Sequence, residues 1–131
     1  MIYAIRLTHP ELSFSADHAI RYDSGEVEQV HRHTFRTQLE IAGPVNKSGY
    51  VVDFLAAFRI LKRLLRQLEG TTFLPQDKEN PTAEHLVTKL LEQFRAEAVN
   101  EHLFFYPPEE YRFKLELEEE PGMWAVCSST N

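Results

Sequence analysis

Three histidines, His18, His31 and His33, are the residues whose type and spacing best suit chemistry. They lie in the segments Phe14-Ser15-Ala16-Asp17-His18 and His31-Arg32-His33-Thr34-Phe35. Three neutral imidazoles with no fourth protein ligand describe a catalytic zinc site, which keeps one position for water or substrate. Residues i and i+2 of a strand point to one face, so His31 and His33 can reach the same metal. A short loop after His18 brings the third imidazole alongside. The pattern points to an enzyme rather than a binding module.

The elements that must position these residues follow from periodicity. Ile2 to Leu7 alternates as a strand, and Leu12 to Ala16 reads as its hairpin partner. Phe35, Thr37, Leu39 and Ile41 alternate with Arg36, Gln38 and Glu40, which predicts a half-buried strand. His31 and His33 share the parity of its apolar residues. Val51 and Val52 read as a short return strand after the turn at Asn46–Gly49. Phe54, Phe58, Leu61, Leu65 and Leu68 then recur at helical spacing. A second helix has Asn80 as N-cap, Pro81 as first residue and an apolar face of Ala83, Leu86, Val87, Leu90, Leu91 and Phe94. Tyr111, Phe113, Leu115 and Leu117 line one face of a last long strand, and Glu119 continues their parity. A carboxylate on that face needs a partner, unless the strand ends before Glu119 and leaves it exposed. Met123 to Cys127 adds a short final strand. Strands, two helices and strands again give an α+β class with a mostly antiparallel sheet.

The 131 residues suffice for one domain, 1–131, with its own core. A net charge of -6 without a basic cluster argues against a nucleic-acid partner. No apolar run approaches a membrane span. Met1–Leu7 lacks the form of a signal peptide. The single cysteine, Cys127, excludes an intramolecular disulfide and fits a reducing cytoplasm. A cytoplasmic location is therefore the expectation.

Five segments in order resemble the 6-pyruvoyl-tetrahydropterin synthase family, and in layout its bacterial 6-carboxy-tetrahydropterin synthases. Phe14-Ser15-Ala16-Asp17-His18 is similar to F-x-A-x-H, and His31-Arg32-His33-Thr34-Phe35 to H-G-H-[NS]-[YF]. Gly49-Tyr50-Val51-Val52-Asp53-Phe54 resembles G-x-[VI]-[VI]-D-F. Glu79-Asn80-Pro81-Thr82-Ala83-Glu84 resembles E-N-P-T-x-E, and Glu119-Glu120-Pro121-Gly122-Met123-Trp124-Ala125 resembles E-T-P-x-x-W-A. The resemblance implies the tunnelling fold, a four-stranded antiparallel sheet with two helices inserted between the second and third strands. It implies a homohexamer of two stacked trimers or another homo-oligomer, and 7,8-dihydroneopterin triphosphate as substrate. His18, His31 and His33 would hold Zn2+, a Lewis acid toward the substrate side chain. Glu119 would accept two hydrogen bonds from the pterin ring, the partner its burial needs. Thr82 and Glu84 would frame the ring, although a Thr at a helix start also serves as a plain cap.

The chain departs from the family at two catalytic positions. Where bacterial members carry a Cys, four residues before the first histidine of H-x-H, this chain has Val27. Where the family has an Asp-His pair after the first helix, the ungapped register gives Glu69-Gly70. Glu69 keeps the acid in kind, and Arg32 replaces the H-G-H glycine. Some members carry Glu for the Cys and cleave the substrate side chain to 6-hydroxymethyl-dihydropterin, a role open to Glu26. Otherwise Glu26 and Glu28 are solvated loop charges. Two readings follow. One is a zinc-dependent pterin synthase or lyase, in pathways such as queuosine biosynthesis. The other is a catalytically reduced relative that binds zinc and pterin without turnover.

Overall fold

The computed structural model describes residues 1–75 and 79–129. Strands β1 (Tyr3–Leu7), β2 (Ser13–His18) and β3 (His31–Gly43) precede helix α1 (Phe54–Leu68). A two-residue strand β4 (Thr72–Phe73) leads to α2 (Ala83–Asn100), and β5 (Arg112–Glu120) and β6 (Met123–Ser129) follow. The sheet runs β4-β2-β3-β5-β6, with β1 also paired to β3. All pairings are antiparallel except β2 with β4.

Leu12–Ala16 is not the hairpin partner of β1. β1 pairs with residues 39–43 of β3, and β2 pairs with residues 31–36. The two are consecutive pieces of one column, interrupted at Thr8–Leu12. Pro10 has no N–H to give a ladder there, and Leu12 N–H closes a turn onto the His9 carbonyl at 2.9 Å. Opposite the gap, buried Thr37 donates both its N–H and its hydroxyl to the Leu12 carbonyl, each at 2.8 Å. The six strands therefore fill four principal columns, with α1 and α2 between the second and third and β4 at the outer margin.

Val51 and Val52 form no return strand. Both are buried at a bend, anchored by Asp53, whose side chain accepts from the Leu55 and Ala56 amides and caps α1. The buried stripe of α1 is Ala57, Ile60, Leu61, Leu64 and Leu65, rotated from the expected one. Phe54 in the first turn is exposed, and Phe58 is only half-buried, its ring 5.0 Å from that of His9. The helix turns its small Ala57 to the sheet, so the aromatic rings fall to the flank. In α2, Leu86, Val87, Leu90, Leu91 and Phe94 are buried as expected. Its cap is Thr82, which accepts from the His85 amide at 3.2 Å, and not Asn80. These helices cover the inner sheet face of Phe14, Phe35, Leu39, Ile41, Phe113 and Leu115. Among the described residues, no helix is long and apolar enough to cross a membrane.

Candidate metal centre

His18 ends β2, and His31 and His33 open β3. Cross-strand register sets His18 opposite His31 and Ala16 opposite His33. Their ring centroids lie 4.5 to 5.1 Å apart. One ligand nitrogen from each falls within 4.8 Å of the other two, the one such cluster among the described residues.

Two rings are oriented by backbone. His18 Nδ1 lies 3.0 Å from the Pro81 carbonyl at the entrance to α2. His31 Nδ1 lies 2.9 Å from the Gln29 carbonyl. A carbonyl only accepts, so each Nδ1 carries the proton and each Nε2 keeps its lone pair. Such outer contacts fix ring orientation and tautomer in metal sites. Burial holds His33 below the ordinary imidazole range, reinforced by His31 and His18 and opposed by Glu119. It therefore favours the neutral form that binds metal.

Glu119 lies on the same face, and its Oε1 is 3.1 Å from His18 Nε2. The contact is out of line for a hydrogen bond, and buried His18 Nε2 has no hydrogen-bond partner. A buried, unpartnered nitrogen is costly, and a cation held with His31 and His33 would satisfy it. The donor set thus fits zinc.

The remaining expected residues are placed differently. Glu26 is exposed; its carbonyl accepts from the Tyr22 amide and its own amide donates to Ser24 Oγ. Glu28, two residues on, turns toward the cluster. Its Oε1 accepts from the Ile20 amide at 3.0 Å and lies 3.8 Å from His31 Nε2. Its Oε2 accepts from the Tyr22 hydroxyl at 3.1 Å. That carboxylate raises the Tyr22 phenol above its ordinary range, so the hydroxyl remains a donor. Val27 is exposed and bridges to Arg21 across the loop.

Glu69 caps the end of α1 and receives the Ser15 amide on both oxygens at 3.2 Å. Ser15 is three residues from His18, about 10 Å of strand. Thr82 is engaged as a cap, and Glu84 is exposed in the first turn of α2. Arg32 pairs with Asp17 at 3.1 Å on the outer face.

The parts played by three residues escaped the sequence reading. Glu28 has a local signal: a turn at Asp23–Gly25 pairs Arg21 with Val27 and brings Ile20 to Glu28. Asn80 bonds both backbone groups of Arg21, each at 2.7 Å, a long-range tie with no local signal. Glu118 alternates with the Tyr111–Leu117 face and so belongs by parity to the outer side of β5, yet it is buried and receives Arg36 at 2.6 Å and the Gly122 amide at 2.7 Å.

Fold and site together define an α+β protein with a three-histidine cluster suited to a metal at one end of a mostly antiparallel sheet. The chain belongs to the 6-pyruvoyl tetrahydropterin synthase family, whose sequence profile matches residues 8–130. It is 32% identical over 83 residues to the dihydroneopterin monophosphate aldolase of Pyrococcus furiosus, covering 63% of this chain and 69% of that one. It is 30% identical over 84 residues to the 6-carboxy-5,6,7,8-tetrahydropterin synthase of Haemophilus influenzae, covering 61% and 59%. The structure of the Plasmodium falciparum 6-pyruvoyl tetrahydropterin synthase superposes with a TM-score of 0.80 over 98% of both chains, at 17% identity. That likeness bears on the fold.

Proposed function

We propose that this protein is a zinc-dependent pterin lyase acting on a phosphorylated 7,8-dihydroneopterin. The observation that carries the reading is the convergence of three imidazoles, two with their Nδ1 protons committed to backbone carbonyls. Bound zinc would supply Lewis-acid polarisation of the substrate side-chain oxygens. Glu119, on the same face, would accept the amino-pyrimidine edge of the ring through both carboxylate oxygens. The Thr82 hydroxyl is engaged by the helix, which leaves it a framing role at most. Glu84, exposed in the first turn of α2, would border the ring.

Val27 cannot move a proton, so the proton acceptor must be another group. Glu28 suits that task better than Glu26 or Glu69, because its carboxylate is held beside His31 by two hydrogen bonds. An acid in place of the family Cys favours cleavage of the side chain toward 6-hydroxymethyl-dihydropterin over rearrangement to a carboxy or pyruvoyl product. The similarity to an archaeal aldolase supports the same branch. The non-catalytic reading predicts pterin binding without product.

The test is a product assay with zinc-loaded protein and either 7,8-dihydroneopterin triphosphate or the monophosphate, read by mass spectrometry. A new pterin that vanishes in His31→Ala and in Glu28→Gln, but persists in Glu26→Gln, is the expected result. Persistence in Glu28→Gln removes Glu28 as the acceptor. Unchanged substrate with stoichiometric zinc overturns the catalytic reading.

A further inference from the structure

Among the described residues, Glu118 is the buried carboxylate on a face that should be wet. Parity puts it with Arg112, Lys114 and Glu116, which are exposed or half-buried, yet its side chain is 6% exposed. Burying a charge is expensive unless both oxygens are paired. Here they are. Oε1 receives the guanidinium of Arg36, the residue directly opposite across the β3–β5 ladder, at 2.6 Å. Oε2 receives the Gly122 amide at 2.7 Å.

The second bond spans an irregularity. Glu118 pairs with Trp124, but Met123 pairs with Glu120, so Glu119 is the extra residue of a β-bulge. Gly122, with φ +82°, follows Pro121 in the turn joining β5 to β6, the arrangement of a type II turn. Among the described residues Glu119 makes no side-chain hydrogen bond, and its ladder position is skipped. Bulges beside active sites re-aim side chains, and a bulge needs something to hold its shape. The Glu118 carboxylate ties β3 on one side of the extra residue to the turn on the other.

We propose that Glu118, together with Arg36, is a positioning residue that fixes the β5–β6 bulge and so aims the Glu119 carboxylate at the pterin ring. The inference rests on Glu119 being the pterin anchor. Its geometry makes a further demand: two donors converge on one side chain, so an isosteric amide cannot serve both. Glu118→Gln would leave one acceptor oxygen, and the new NH2 group would face either Arg36 or the Gly122 N–H.

The experiment compares wild type, Glu118→Gln, Arg36→Met and Glu119→Gln, all zinc-loaded. Neopterin affinity is measured by fluorescence titration, and hydrogen exchange is followed across residues 116–126. Zinc stoichiometry and thermal melting report on the fold. Glu118→Gln and Arg36→Met are expected to bind zinc normally, to exchange faster at Glu120–Gly122, and to weaken neopterin about 10-fold or more. Glu119→Gln is expected to weaken neopterin without speeding exchange. Where turnover is measurable, the Glu118 variant raises KM more than it lowers kcat, because the altered contact is with the ring and not the reacting side chain. Unchanged exchange in Glu118→Gln overturns the clamp whatever the ligand. Faster exchange with neopterin affinity kept within about two-fold overturns the positioning role. A wild type that binds no neopterin, while Glu118→Gln still exchanges faster, overturns the pterin reading and leaves the clamp standing.

Discussion

Gly43 ends β3 against the ring of Tyr111, and replacing it by alanine separates the scaffold from the site. A Cβ at residue 43 would lie 2.5 Å from Tyr111 Cδ1, 2.9 Å from Cε1 and 3.2 Å from Cγ. Carbon atoms in contact prefer about 3.5–4.0 Å, so the ring or the strand must move by roughly 1 Å. The ring has no room. It is fully buried, lies 4.7 Å from the Phe104 ring, and its hydroxyl accepts from the Phe105 and Tyr106 amides at 3.2 and 3.3 Å. Overpacking of this kind costs about 1–3 kcal/mol, a fall in Tm of roughly 3–15 °C at this size. Gly43 lies twelve residues of β3 from His31, about 40 Å of strand. Zinc affinity should therefore stay within about two-fold. Urea denaturation of wild type, Gly43→Ala, Tyr111→Leu and the double variant gives the assay, with zinc titration alongside. The cost of Gly43→Ala should shrink in the Tyr111→Leu background. An equal cost in both backgrounds refutes the steric argument, and a matching loss of zinc affinity refutes the independence of the two ends.

Further outcomes are expected. His31→Ala abolishes stoichiometric zinc binding at less than about 1 kcal/mol of stability, because His31 is partly exposed. His18→Ala loses zinc and a further 1–3 kcal/mol or so, because it strips the donor from the Pro81 carbonyl at a buried position; paired metal and denaturant titrations separate the two. Leu65→Ala, fully buried on α1, costs about 2–5 kcal/mol in denaturant melts with the zinc site intact. Arg36, then the Gly122 amide, hold the Glu118 carboxyl below the ordinary carboxylate range. A carboxyl depressed on folding stabilises above its unfolded pKa, and that contribution disappears as pH falls through the folded value. Wild type should thus lose stability more steeply than Glu118→Gln between about pH 5 and pH 3, measured by acid titration of the melting curve.

The histidine face was legible because strand parity is local: His31, His33 and Phe35 alternate, and the pleat does the rest. The helix α2 face was legible for the same reason, its period being uninterrupted from Leu86 to Phe94. What resisted depends on contacts distant in sequence. Nothing near Leu12 says that β2 pairs with β3 rather than with β1, since both choices satisfy the alternation. Asn80 has the composition of a cap, yet its amide is taken by Arg21, 59 positions away. Glu118 obeys parity and is still buried, because Arg36 and the turn close over it. Val51 and Val52 look like a strand because burial selects the same residue types in a bend.

The paired bonds from Asn80 to Arg21 have a dynamic consequence. Exposed loops ordinarily move on nanosecond to microsecond times. Here the Ile20–Glu28 loop is closed by its own backbone bonds and fastened to the entrance of α2. The same entrance supplies the carbonyl that orients His18. Opening the loop must therefore break several bonds at once, so Glu28 and the His18 ring share one cooperative unit of local unfolding. Amide exchange at Arg21, Glu28 and Leu86 should then follow a single opening event, with Glu28 and the histidine cluster organised or lost together.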